Sequence, residues 1–263
     1  MPASYVTLTT FKSTGGLNLT GTAYDGRVMA LIENVSQQID NYTSRNFYVL
    51  IETRYFDGPG SKHLIIPDLI SVNTLKEDTN FDGTYETSWA AADYRLSPFN
   101  SAPTAAWGRA YMKAEVNEAS NGAQDEFLKG QRMYEIVGTW GYRRYVVDSG
   151  ENGTLSDGTV TTLSVGASST LERGQTLLVN DEYLYVTSTG TSATAAATGT
   201  ITVTRAVNGS TGTAHTNQDI NVLQFPGPVQ EACLIQAARI WKRREAAFAS
   251  SIGFPETGQM AVI

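Results

Sequence analysis

Histidine and cysteine are nearly absent from this chain: His63, His215 and Cys233 are all that 263 residues contain. One cysteine excludes an intrachain disulfide, which fits a reducing compartment. With two distant histidines it also excludes a Cys/His zinc centre, and the sequence brings no base beside a nucleophile. Neither a G-x-x-x-x-G-K-[ST] phosphate loop nor a G-x-G-x-x-G turn occurs. Apolar runs fall short of the ~20 residues that cross a bilayer, so no membrane partner is expected. The opening stretch, MPASYVTLTTFKSTGG, lacks a basic segment followed by an apolar one, so no signal peptide is expected. The N-x-S/T matches at Asn18, Asn41, Asn152 and Asn208 are accordingly read as chance. Lysine disappears between Asp148 and Gln224, where Asp148, Glu151, Asp157, Glu172, Asp181, Glu182 and Asp219 face only Arg173 and Arg205. The whole chain carries a formal net charge of -7, which argues against general affinity for nucleic-acid phosphates.

What the chain does have is periodicity. Val28, Leu31, Ile32, Val35, Ile39 and Tyr42 recur at helical spacing, with Asp25 or Thr22 placed to cap the start. From Phe47 the period changes to two. FYVLIETRYFDG reads as a strand, and HLIIPDLISVNTLKED as a strand, a turn at Pro67 and a second strand. FDGTYETSWAAADYRLSP reads as a hairpin turning at Asp82–Gly83, residues 100–125 as a long loop with a helical piece, and MYEIVGTWGYRRYV as another strand. After a turn-rich Gly150–Gly158, the runs TVTTLSV, TLLVNDEYLYVTS and TGTITVTRAV alternate at strand period, with TGTSATAAATGT as a mobile loop. A closing helix follows Pro226 and Pro228, burying Val229, Cys233, Ala237, Ile240 and Phe248 and ending at Gly253.

The expected architecture is α+β: a small helical core in which the N- and C-terminal helices pack together, β-hairpins, and an inserted all-β barrel or sandwich. By region, this gives an arm over 1–24, a discontinuous core over 25–146 and 226–253, the inserted β-domain over 147–225, and a tail over 254–263.

Candidate chemistry is sparse. Cys233 sits on the apolar helix face and reads as a small core residue; His63 and His215 read as surface or satisfied histidines. Asp78-Thr-Asn80-Phe-Asp82-Gly83 matches the opening of an EF-hand calcium loop, but the twelfth position is Trp89 and strands flank the run. A plain hairpin turn is the preferred reading, with a weak cation site as the alternative. Carboxylates are plentiful, yet nothing in their spacing selects a catalytic pair, so no enzyme activity, catalytic residue, metal or cofactor is expected. The sharpest charged feature is Arg239, Lys242, Arg243 and Arg244, which is either a solvated helix face or a contact strip for an acidic partner or DNA backbone.

NVSQQIDNYTSRNF, TRYFDG, LIIPDLISVNTLKED, DYRLSP and QEACLIQAARIWKRREAAF, in that order, resemble the head–tail connector (neck adaptor) proteins of tailed bacteriophages. VTRAVNGSTGTAH is similar to a signature found in β-modules of phage structural proteins. The resemblance implies a homo-oligomeric, dodecameric ring in the virion neck, assembled in the host cytoplasm. Its partners would be the portal and a tail, stopper or tail-completion protein, with DNA passing through as cargo. It further implies that the closing helix and tail touch the portal, through Arg239, Lys242, Arg243, Arg244, Phe254, Met260 and Ile263. The other reading is a tail or virion component whose β-domain binds a host glycan or protein, with Tyr183 and Tyr185 on one strand face as the candidate sugar platform.

Overall fold

The computed structural model describes residues 4–14, 17, 19–119, 124–166, 170–189, 199–246, 251–253 and 260–262. Strand accounts for 43% of the described residues and helix for 19%, so the expected helical core is overturned. In chain order come α1 (Leu8–Ser13), α2 (Asp25–Thr43), β1 (Leu50–Gly58), β2 (His63–Glu77), β3 (Thr87–Trp89), β4 (Tyr94–Ser97), β5 (Tyr111–Val116) and β6 (Gly130–Trp140). There follow β7 (Tyr145–Leu155), β8 (Thr162–Val165), β9 (Thr176–Val179), β10 (Glu182–Thr189), β11 (Gly199–Val207) and β12 (His215–Gln224). The chain ends with α3 (Gly227–Ala246), β13 (Ser251–Gly253) and β14 (Met260–Val262).

Two β-systems make up most of the fold. The first is an open sheet in the order β1-β6-β2-β5-β4, with β3 paired to β2. Its apolar face gathers Leu64, Leu69, Leu75, Phe127, Ile136 and Trp140 into one cluster, where Trp89 stacks on Phe127 at 4.5 Å. The second is a closed six-stranded barrel, β10-β11-β8-β7-β12-β9, filled by Leu163, Leu177, Val179, Leu184, Val186 and Ile220. Closure leaves this sheet no unpaired edge.

The helices form a seam rather than a core of their own. α2 buries Val28, Met29, Ile32, Val35 and Ser36, and α3 sets Val229, Cys233, Ala237 and Trp241 against them. Each buried aliphatic contributes ~1.5–3 kcal/mol. That stripe is too narrow to enclose itself, so the same cluster recruits Leu178, Tyr183, Tyr185 and Val207 from the barrel strands. β10 explains how: Leu184 and Val186 fill the barrel, while Tyr183 and Tyr185 on the opposite face join the helices. A turn of the barrel also reaches the open sheet. Ile51 donates its backbone N–H to Asn208 O at 2.8 Å, and Gly209 (φ +79°) passes so close that a Cβ there would strike the Ile51 carbonyl.

Several local expectations are corrected. Tyr24, with no side-chain cap bond, occupies the start of α2, and Asp25 instead pairs with Lys12 at 2.7 Å. Tyr42 is 92% exposed, because the helix outruns the core before Ser44 ends it in the left-handed conformation. β2 runs through Pro67 without a turn. The ladder to β5 skips between Ile65 and Leu69, which accommodates a residue that has no N–H to give. The 100–125 segment contributes strand β5. β7 continues past Gly150 (φ +73°) instead of breaking into turns, and α3 ends at Ala246, with Gly253 in a strand that pairs with Met260. The sequence TGTSATAAATGT lies, for 190–198, outside the described residues, as does Phe248.

Candidate functional site

The arginine and lysine side chains predicted as a contact strip lie together on α3. Arg239, Lys242 and Arg243 are exposed, beside Ile235 at 50% exposure, and have no ion pair among the described residues. Helical spacing puts Ile235, Arg239 and Lys242 along one face. Of the other predicted contacts, Phe254 and Ile263 lie outside the described residues. Arg244 and Met260 belong to α3 and β14 by backbone only.

The VTRAVNGSTGTAH run contributes to a buried charge cluster inside the barrel wall. Glu182, at 1% exposure, accepts from Arg205 Nε at 2.6 Å and Nη2 at 2.7 Å, and from the backbone N–H groups of Ala206 and Thr213, both at 3.1 Å. His215 Nε2 lies 2.8 Å from the second carboxylate oxygen. Arg205 spends its remaining donors on the carbonyls of Asp157, Val160 and Thr213. Burial pushes the Glu182 carboxyl up, but the bonds from Arg205, His215, Thr213 and Ala206 outweigh it and hold it at about 2. Arg205 and His215 therefore pin the β11–β12 connection to the barrel through Glu182, while Asn208 and Gly209 meet Ile51 of the open sheet. His215 is buried and satisfied, whereas His63 is exposed at the head of β2.

Cys233 is fully buried, and burial pushes its thiol up to about 11, with the Ser36 hydroxyl offsetting part of the shift. A thiol so held is a poor nucleophile. Tyr183 and Tyr185 are 1% and 2% exposed, and Tyr185 Oη donates to Glu33 at 2.7 Å. Neither ring can serve as a sugar platform, so that element of the host-binding reading falls.

The EF-hand-like run forms the connection between β2 and β3. Asp78 Oδ1 accepts from Phe81 N at 2.8 Å and Oδ2 from Gly83 N at 2.9 Å, while Asp82 Oδ1 accepts from Thr84 N at 2.7 Å. Asp78, Asp82 and Glu86 each bring a carboxylate oxygen within 4.8 Å of the others. The two aspartates are spent on backbone donors of the turn, and Glu86 Oε1 accepts from Asn80 Nδ2 at 2.9 Å. Trp89, at the twelfth position, stacks in the sheet core and donates Nε1–H to Glu77 at 3.1 Å.

Sequence reasoning missed a cleft of about 720 Å³ between the end of α2, the first half of β2 and the β4–β5 edge. Asp68 and Arg45 line it with Arg54, Ile65, Met112 and Lys113. Asp68 follows Pro67 in the stretch of β2 where the ladder to β5 skips, and Arg45 follows the left-handed Ser44 that ends α2. Arg45 Nε stands 3.4 Å from Asp68 Oδ2, yet that oxygen is buried without a hydrogen bond among the described residues. Burial raises the Asp68 carboxyl above the usual range, with Arg45 and Arg54 opposing the shift. No local pattern announces this pairing.

No family model matches the chain, nor does any curated protein or solved structure compared with it. No helix among the described residues is long and apolar enough to cross a membrane.

Proposed function

We propose that this chain is a structural protein of the tailed-phage neck, a head–tail adaptor that assembles with copies of itself into a ring between portal and tail. The observation that carries the reading is a contrast. The strongly buried charges of the barrel and the buried thiol are committed to packing and backbone bonds, while large apolar side chains stand in solvent. Ile65 (72%), Phe81 (66%), Phe99 (77%) and Trp107 (74%) are exposed to a degree that a free-standing catalyst does not need. Such side chains are the material of protein interfaces, and a ring requires two different faces per copy. The order of the sequence pieces resembling neck adaptors gives the assembly its place. The net charge of -7 suits a conduit that must pass DNA without gripping it. The α3 strip of Arg239, Lys242 and Arg243, with Arg244, Phe254, Met260 and Ile263 after it, is the proposed portal contact.

Reversing the charge of Arg239, Lys242 and Arg243 together tests the assignment. In phage particles carrying that variant, DNA-filled heads should accumulate without joined tails. Normal infectivity would remove the strip from the interface.

A further inference from the structure

We propose that the Arg45–Asp68 cleft receives an extended polypeptide segment of a partner protein. One residue of the segment would give its backbone N–H to Asp68 and its C=O to Arg45, and an apolar side chain would sit between Ile65 and Met112. The inference rests on the cleft alone and is separate from the neck assignment.

Asp68 is 9% exposed, and its Oδ2 has no hydrogen-bond partner among the described residues. A buried carboxylate oxygen left in that condition is destabilising, and a donor brought by a partner would relieve it. Its backbone cannot swing away, since Asp68 O accepts from Gly141 N at 2.9 Å. Arg45 is equally under-used: Nε stands 3.4 Å from Asp68, among the described residues Nη2 reaches only the Met112 thioether at 3.6 Å, and the guanidinium lies over Tyr142 at 5.5 Å. An acceptor and a donor group side by side match one residue of an extended strand, whose own N–H and C=O point to the same side.

The remaining charges argue against a free anion. Arg54 is paired with Glu52 at 2.6 Å and Lys113 with Glu115 at 2.5 Å, so two of the three wall cations are neutralised beforehand. The lip is apolar. Ile65 is 72% exposed and Met112 44%, on adjacent paired strands, and thioether side chains adapt to varied apolar partners. The ladder to β5 skips between Ile65 and Leu69, so the β2 backbone beside Asp68 is irregular at this place.

The test uses the full chain with labelled isoleucine and methionine methyl groups, observed by NMR, which tolerates large assemblies. The probe is Ac-Gly-Leu-Gly-NH2, against Ac-Gly-Ser-Gly-NH2 and inorganic phosphate as controls. The leucine peptide should shift the Ile65 and Met112 methyl signals selectively. Asp68→Asn and Arg45→Gln should each weaken that titration by about tenfold or more, the loss expected for a hydrogen bond to a charged group. Ile65→Thr, at an exposed position that leaves folding intact, should weaken it too. Shifts spread evenly over the methyls, variants titrating like the parent chain, or phosphate reproducing the pattern would each overturn the proposal.

Discussion

Ser36 Oγ and Cys233 Sγ meet at 3.6 Å although 197 positions separate them in sequence. The contact fixes the register of α2 against α3. Ser36 also returns a bond to Ile32 O at 2.9 Å and accepts from Tyr5 N at 3.1 Å, tying the N-terminal segment to the same seam.

A thiol in that position should be inert. With Cys233 fully buried and its thiol raised to about 11, a disulfide-exchange reagent should label the native protein at ~1% or less of the rate seen in denaturant. Cys233→Leu should overfill the seam and cost about 1–3 kcal/mol, measured by urea unfolding. Rapid labelling of the native chain would show that the helices part readily.

The barrel is a wall of the helical seam as well as a unit in its own right. Removing 148–224 and joining the ends with a short linker would strip Tyr183, Tyr185 and Val207 from the cluster around Val28 and Met29. The sequence alone predicts a soluble helical remainder; the shared cluster predicts the reverse. The truncated chain should aggregate or bind a hydrophobic dye strongly. A soluble product with a sharp thermal transition would contradict the packing described here.

The charge cluster at Glu182 should dominate acid sensitivity. Its folded carboxyl is depressed to about 2 from an ordinary 4.5, so its stabilisation is complete above about 4.5 and is lost as pH falls toward 2. Glu182→Gln leaves Arg205 buried without its counter-charge and should cost about 3–5 kcal/mol at neutral pH. Thermal melts of both proteins from pH 7 to pH 2.5 should converge at the acid end. A constant gap would exclude the linkage.

Asp40 should act in the opposite direction. Burial lifts its carboxyl from 3.8 to about 6, against the bonds from the Tyr5 hydroxyl and the Phe47 backbone. The folded state therefore holds this proton more tightly than the unfolded chain. The contribution is fully present below about 3.8 and is lost as pH rises through about 6. Asp40→Asn should flatten that part of the stability profile. If the variant and the parent chain keep parallel profiles between pH 4 and pH 7, Asp40 does not titrate there.

Periodic features were legible in the sequence. Val28, Ile32 and Val35 mark the inner face of α2, and the TLLVNDEYLYV run marks β9 and β10. The EYLYV stretch also carried an unread signal: apolar side chains on both faces mean a strand covered on both sides. That second face joins barrel to helices, and it defeats the idea of a self-contained helical core. Gly150 misled because a glycine beside Asp148 and Asn152 looks like a turn. With φ +73° and its N–H on Asp148 Oδ1 at 2.9 Å, it instead bends a continuous strand. The Arg45–Asp68 cleft could not be read, since it depends on where a helix end and a bulged strand come to rest.

The most direct test of the assembly reading is electron-microscope imaging of the purified full chain, alone and mixed with the portal ring of its phage. Closed rings of this protein seated coaxially on the portal are the predicted outcome. Single copies that stay dispersed in both samples, with bare portals beside them, would contradict it.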